Sequence, residues 1–155
     1  MLVSLHVKNL ALIQETEVFF GSGLNILTGE TGAGKSIIIG SVGLALGGRA
    51  DRDMIRTGED YALVELVFEL EKKEQADRVR ALDIPVEEDG MVILQRRIMP
   101  GRSLSRVNGE TVNGRLLKEL FRLPEGLIPF FQPALQNRGF LSGKIIQNLQ
   151  MTFGL

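Results

Sequence analysis

The sequence predicts an α/β fold in which an antiparallel β layer lies beside a parallel αβ core, present here as a partial domain. Residues 29–36 read Gly-Glu-Thr-Gly-Ala-Gly-Lys-Ser, a glycine loop with an apolar strand before it and an apolar helix after it. Alternating apolar and polar residues, which are typical of half-buried strands, occur both before and after that loop. Asn108-Gly109 between two such runs predicts a two-residue hairpin.

The first strands are predicted from alternation and turns. Residues 3–8 alternate apolar and polar side chains, and residues 15–20 are predicted as a second strand. A Gly-Ser-Gly turn at 21–23 leads into a third strand at 25–28, which carries the glycine loop.

The segment after the loop predicts a buried helix. Residues 37–46 are apolar nearly all round, and Gly47-Gly48 follows as an end signal. Gly40 and Gly43 weaken such a helix by about 1 kcal/mol each relative to Ala. We therefore expect close packing against a sheet at these glycines.

The second half of the chain adds strands and two helices. Residues 62–70 alternate most clearly, with apolar side chains on one face and glutamates on the other. A helix follows around 76–82, and apolar residues at 92, 94 and 98 indicate the strand before the hairpin. Asn113 is placed to cap a last helix around 116–121.

The glycine loop predicts a nucleotide-triphosphate site. Gly29, Gly32 and Gly34 let the backbone turn sharply, so that N–H groups converge on phosphate oxygens at the positive end of the helix dipole. Lys35 is expected to reach the β- and γ-phosphates of ATP, and the Ser36 hydroxyl to bind Mg²⁺. A turn that matches by chance is the alternative, but the strand and helix stand where the chemistry needs them. The expected nucleotide contacts are Gly29, Glu30, Thr31, Gly32, Ala33, Gly34, Lys35 and Ser36.

Composition limits the other functions. The 155 residues are 44% hydrophobic and 24% charged, which is ordinary for one globular domain. The sequence shows neither a membrane span nor a signal peptide, and it has no cysteine, which fits a cytoplasmic protein. The net charge of −1 gives no overall basic field, so any contact with DNA must depend on local patches.

The sequence leaves two roles open for each of two groups of arginines and for the one histidine. In residues 49–60, an arginine either helps to hold nucleotide or lies in a solvated loop. A second group lies around the hairpin and either forms ordinary surface ion pairs or contacts phosphate backbone. His6 falls on the polar face of its strand, which favours a surface residue over a catalytic base. The two groups are Arg49, Arg52 and Arg56, and then Arg96, Arg97, Arg102 and Arg106.

Four segments point to a family. Antiparallel strands around a phosphate loop are typical of the nucleotide-binding lobe of ABC-type ATPases. Residues 27–36, 46–50, 55–58 and 102–110 together resemble the N-terminal head segment of the RecN family, bacterial DNA repair ATPases related to the SMC proteins. The resemblance is dense over residues 1–120, and four segments in register are more specific than the loop alone.

The resemblance implies a second site residue. The family carries a His-Gly-Gln-His-Glu-His-Gln stretch, whose first Gln lies near Mg²⁺ and the attacking water. Residues 130–136 read Phe-Phe-Gln-Pro-Ala-Leu-Gln, so the two glutamines keep their spacing while the histidines and the acid are lost. Gln132 is therefore the candidate Mg²⁺ ligand and catalytic partner of Lys35, at the end of a strand expected at 127–131. A plain loop glutamine is the alternative.

The resemblance also shows what is missing. An ABC-type ATPase needs an apolar strand ending in Asp-Glu, and the chain contains none. Residues 141–144, Leu-Ser-Gly-Lys, look only faintly like the family's signature motif, which we interpret as coincidence. We therefore expect residues 1–122 to form the N-terminal lobe of an ABC/SMC-like ATPase head, and residues 123–155 to form a divergent Q-loop region and tail of that lobe.

These features predict an ATP-binding head segment of a protein that repairs DNA double-strand breaks. ATP hydrolysis is expected in the full-length parent, whereas this chain alone should bind ATP but barely hydrolyse it. The expected partners are DNA through the full-length protein, the C-terminal lobe of the same head, and a second head in a homodimer, without a membrane. We expect a cytoplasmic, nucleoid-associated protein. The alternative is a stand-alone P-loop regulatory module without a repair role.

Overall fold

The computed structural model describes residues 1–21 and 32–121. In this part of the chain, no helix is both long enough and apolar enough to cross a membrane. The elements follow in the order β1 (Leu2–Leu10), β2 (Ile13–Phe19), α1 (Gly32–Ala45), a short 3-10 helix (Arg52–Met54), β3 (Ala62–Glu69), α2 (Lys73–Arg80), β4 (Met91–Met99), β5 (Arg102–Val107), β6 (Glu110–Val112) and α3 (Gly114–Phe121).

The described strands form one antiparallel sheet of six strands, in the order β2-β1-β3-β4-β5-β6. Leu66 of β3 lies beside Leu5 of β1 on one side and Leu94 of β4 on the other. All three side chains are fully buried, because alternate residues of each strand face the same side of the sheet. The predicted antiparallel layer is confirmed. The strand expected at 25–28, which would belong to the parallel core, lies outside the described residues.

Helix α1 packs against the buried face of this sheet, on strands β1, β3 and β4. Ile38, Val42 and Ala45 point into the core, and the buried Ser41 hydroxyl donates a hydrogen bond of 2.6 Å to the Ile38 carbonyl. The strands of the sheet contribute most of the remaining core, and α2 and α3 add buried residues such as Val79, Leu117 and Leu120. The fully buried large side chains include Leu5, Val7, Val64, Leu66, Phe68, Val92, Leu94, Ile98, Val107 and Leu120.

Two expectations for α1 need correction. The helix starts at Gly32, inside the glycine loop, and not at 37, because the last loop residues already form its first turn. Close packing against a sheet at Gly40 and Gly43 is not found among the described residues. A Cβ atom built at either glycine meets no atom within 4 Å, so the described residues give no packing reason for the two glycines.

The hairpin predicted at Asn108-Gly109 is confirmed. Both residues have positive φ angles, 47° and 86°, as the favoured two-residue hairpin turn requires. The Asn108 side chain also accepts a hydrogen bond of 2.7 Å from the Ile93 N–H and donates one of 2.7 Å to the Pro85 carbonyl. The turn residue therefore ties β4 to the connection that follows α2.

Candidate nucleotide-binding site

The first turn of α1 contains the second half of the glycine loop. Because the first four N–H groups of a helix have no partner inside it, those of residues 32–35 are left available at this end. The first turn holds no acidic side chain that would oppose an anion, and Ser36 is exposed. Such a helix end attracts phosphate groups. Gly29, Glu30 and Thr31 lie outside the described residues.

The opposite end of α1 closes with a tight glycine turn. The Gly47 N–H donates to the Leu44 carbonyl at 3.1 Å, and the Gly48 N–H donates to the Gly43 carbonyl at 2.9 Å. This pair of bonds is a Schellman motif, and Gly47 has the positive φ angle, 100°, that it needs. A Cβ atom at Gly48 would come within 2.6 Å of the Gly43 carbonyl oxygen, so only glycine fits there. The predicted helix end is confirmed.

Arg96 of β4 holds that same end of the helix. Its side chain is buried, and its Nη1 group donates to the Leu44 carbonyl and, at 2.7 Å, to the Gly48 carbonyl. Its Nη2 group donates to the Ser103 hydroxyl at 3.1 Å. Burial lowers the pKa of the Arg96 guanidinium from its ordinary value, but an arginine stays charged in proteins. A positive charge at a helix C-terminus also complements the helix dipole.

The role of Arg96 differs from both interpretations of the hairpin arginines. It makes neither a surface ion pair nor a solvent-facing contact. The sequence contains a signal that separates it from its neighbour. Arg96 has the same strand parity as the buried Val92, Leu94 and Ile98, whereas Arg97 has the opposite parity and is exposed. An arginine on the apolar face of a strand is expected to have a specific partner inside the protein.

These contacts fix the middle and the C-terminal end of α1 relative to the sheet. The apolar side chains of Ile38, Val42 and Ala45 hold the helix along its length, and Arg96 holds its C-terminal carbonyls to β4. A helix of 14 residues is about 21 Å long. The first turn, which carries the predicted phosphate contacts, is therefore positioned by packing and hydrogen bonds well behind it.

The segment 49–60 lies against the β1–β2 turn. The Ala11 N–H donates to the Met54 carbonyl at 2.8 Å, and the Arg56 N–H donates to the Asn9 carbonyl at 2.9 Å. The Arg56 side chain donates to the Leu12 carbonyl at 2.7 Å. Arg49 pairs with Asp51 at 3.2 Å on the surface. These partners belong to the protein itself, and a nucleotide contact by this segment stays a prediction.

His6 is part of a small surface cluster. Its Nε2 atom lies 2.9 Å from Glu15 Oε1, and Lys8 Nζ lies 3.6 Å from Glu15 Oε2. The hydrogen bond from His6, helped by the positive charge of Lys8, lowers the pKa of the Glu15 carboxyl below its ordinary value. The prediction of a surface histidine is confirmed, since the His6 side chain is partly exposed and its partner Glu15 is exposed.

The comparisons with known proteins identify the family. A family model described as an AAA domain matches residues 4–124, which include the glycine loop and α1. This chain belongs to the AAA domain family. The DNA repair protein RecN of Halalkalibacterium halodurans is 46% identical over 122 residues, which make up 77% of this chain and 21% of that protein. This chain thus spans about a fifth of the length of the curated relative. The match supports an N-terminal head fragment of the RecN type.

Solved structures share the fold of this AAA domain. The SMC head domain from Thermotoga maritima superposes with a TM-score of 0.60 at 23% identity, covering 77% of this chain and 41% of that one. The recombination mediator protein RecF, in a structure named RecF-ATPrS, superposes with a TM-score of 0.56 at 17% identity, covering 76% of this chain and 29% of that one. The described residues therefore have the fold of part of an SMC head domain.

The remaining site predictions for the AAA domain lie outside the described residues. They include Gln132, its expected strand at 127–131, and the signature-like segment at 141–144. Within the described ranges, no group of three or more histidine or acidic side chains is placed to hold a metal ion.

Proposed function

We propose that this chain is the ATP-binding N-terminal head segment of a RecN-type protein that acts in DNA double-strand break repair and recombination. The observation that carries the proposal is the glycine loop at the start of α1, in a chain that is 46% identical over 122 residues to a protein named for DNA repair. The RecF structure, which shares this fold, is named as a nucleotide complex.

The proposed contacts follow from the loop and from the first turn of α1. The backbone N–H groups of residues 29–36 would surround the phosphates of ATP, and the Lys35 ammonium would pair with the β- and γ-phosphates. The Ser36 hydroxyl would contribute one ligand to Mg²⁺. Mg²⁺ commonly takes only one or two protein ligands and completes its shell with phosphate oxygens and waters. An exposed serine at the end of an acid-free helix turn fits that arrangement.

Hydrolysis would need parts beyond this chain. We propose that residues 1–122 are the N-terminal lobe of the head and that residues 123–155 continue it, with Gln132 near the Mg²⁺ and the attacking water. The Asp-Glu strand would come from the C-terminal lobe, and the signature motif from a second head in a homodimer. The full-length protein would bind DNA and act in the cytoplasm, associated with the nucleoid. Since positioned groups supply most of the catalysis in phosphoryl transfer, this chain alone should bind ATP and hydrolyse it barely.

The alternative of a stand-alone P-loop regulatory module is not favoured. A generic nucleotide binder has no reason to resemble RecN over 122 residues, far beyond the eight residues of the loop.

The test is the affinity of the 155-residue chain for a fluorescent ATP analogue with Mg²⁺. Lys35→Ala removes the charge opposite the β- and γ-phosphates, so we expect affinity to fall about tenfold or more, since a hydrogen bond to a charged group contributes roughly 1.5–3 kcal/mol. Lys73→Ala is the matched control, because Lys73 is exposed on α2 and the variant loses the same charge.

If Lys35→Ala and Lys73→Ala bind the ATP analogue with equal affinity, the proposal that the glycine loop binds ATP is wrong. Phosphate release by the unmodified chain serves as a second readout. Steady turnover on the order of 1 s⁻¹, which is ordinary for enzymes, would contradict the proposed need for a second lobe.

A further inference from the structure

Three arginines share the face of the sheet that points away from α1. Arg97 lies on β4, and Arg102 and Arg106 lie on β5. All three are exposed, whereas Arg96, next to Arg97, faces the core. We call the set Arg97, Arg102 and Arg106 the arginine face.

The strand register brings these arginines together. Arg97 lies opposite Leu104, which stands between Arg102 and Arg106 on the same face of β5. Arg102 and Arg106 are four residues apart on one strand, so their Cα atoms are separated by about 13 Å, and β4 lies about 4.8 Å from β5. The three arginines of the arginine face therefore lie close together on two hydrogen-bonded strands.

None of the three arginines has an acidic partner within residues 1–21 and 32–121, in contrast to other charges of the sheet. Glu15 is paired with His6 and Lys8, and Glu65 accepts a hydrogen bond from Gln95. The Arg97 guanidinium stacks on the Tyr61 ring with 3.9 Å to the centroid, which holds its position but leaves its charge uncompensated.

We propose that the arginine face binds the phosphate backbone of duplex DNA without reading its sequence. Spaced guanidinium groups match phosphate oxygens, and contacts to phosphate carry no sequence information. The net charge of −1 gives the chain no overall attraction to DNA, so a local cluster is needed for binding. This inference rests on the proposed function, since a repair protein must meet DNA.

The test measures binding of the 155-residue chain to a labelled random-sequence duplex of about 30 base pairs across a series of salt concentrations. The logarithm of affinity falls with the logarithm of salt by about 0.9 per phosphate neutralised. Three contacts predict a slope near −2.7, and Arg102→Gln with Arg106→Gln should flatten it to about −0.9. Replacing both residues by Lys keeps the charges and should keep most of the slope.

The matched control is Lys73→Gln with Lys118→Gln, which removes two exposed charges from α2 and α3 and should leave the slope unchanged. Affinity for the ATP analogue should be unchanged in all these variants. This readout separates the two proposals, because loss of duplex binding with intact ATP binding concerns only the arginine face.

Two outcomes would overturn the inference. One is an equal salt slope in the glutamine variant and the unmodified chain, which would place the contacts elsewhere. The other is binding of polyglutamate, but not of duplex, through the same arginines, which would make the partner an acidic protein.

Discussion

Arg96→Met should destabilise the fold, because it removes the side chain that joins β4 to the C-terminal end of α1. Methionine has a similar length and fits an apolar environment, but it has no donor. The Gly48 carbonyl then loses its bond to Arg96, and the Leu44 carbonyl keeps only the bond from the Gly47 N–H. The change therefore tests whether Arg96 fixes the helix to the sheet.

The magnitude follows from these contacts. A buried carbonyl without a partner costs about 1–3 kcal/mol, and the loss of a cation at a helix C-terminus costs about 0.3–1 kcal/mol more. Part of this loss is offset, because the buried Nε atom of Arg96 has no hydrogen-bond partner among the described residues and its desolvation cost disappears with the guanidinium. The expected net loss is about 1–3 kcal/mol, against about 5–15 kcal/mol for a whole domain.

Urea unfolding followed by far-ultraviolet circular dichroism measures this loss as a lower midpoint with an unchanged slope. Arg97→Met is the matched control, since it changes the adjacent residue on the exposed face. That variant loses only the stacking on Tyr61, which contributes about 0.5–1 kcal/mol. If both variants lose the same free energy of unfolding, or if Arg96→Met loses less than about 1 kcal/mol, the proposed clamp on α1 is wrong.

Two further predictions concern α1 and the surface of β1 and β2. Gly40→Ala should raise the free energy of unfolding by up to about 1 kcal/mol, since Ala favours helix and its Cβ meets no described atom. Gly48→Ala should lower the free energy of unfolding, because its Cβ would lie 2.6 Å from the Gly43 carbonyl oxygen. Urea midpoints of the two variants that shift in the same direction would contradict this prediction. The pKa of Glu15, followed by NMR, should lie below its ordinary value and rise in His6→Ala. Because the folded pKa is the lower one, any stability contributed by Glu15 is complete above its unfolded pKa and lost as pH falls through the folded value.

The strands and helices of the described part could be predicted because their signals are local. In β3, every second residue from Ala62 to Phe68 is apolar and buried in the core, whereas Leu63 and Val67 lie on the opposite face. The order of the strands could not be predicted in this way. β1 lies between β2 and β3, but alternation only tells which face of a strand is buried and not which strand lies beside it.

Within the candidate site, one end of α1 could likewise be predicted from local sequence, whereas the other end depends on a contact between distant residues. Its N-terminal turn is recognisable because eight neighbouring residues carry the pattern, and phosphate binding by a helix start depends on backbone N–H groups that any such loop supplies. Its C-terminal clamp joins Arg96 to Leu44 across 52 residues, and no local pattern encodes that pairing. The local pattern only says that an arginine falls on an apolar face. Because a buried guanidinium must find acceptors, and the last carbonyls of a helix are acceptors without partners inside it, the helix end facing β4 is where that arginine is satisfied.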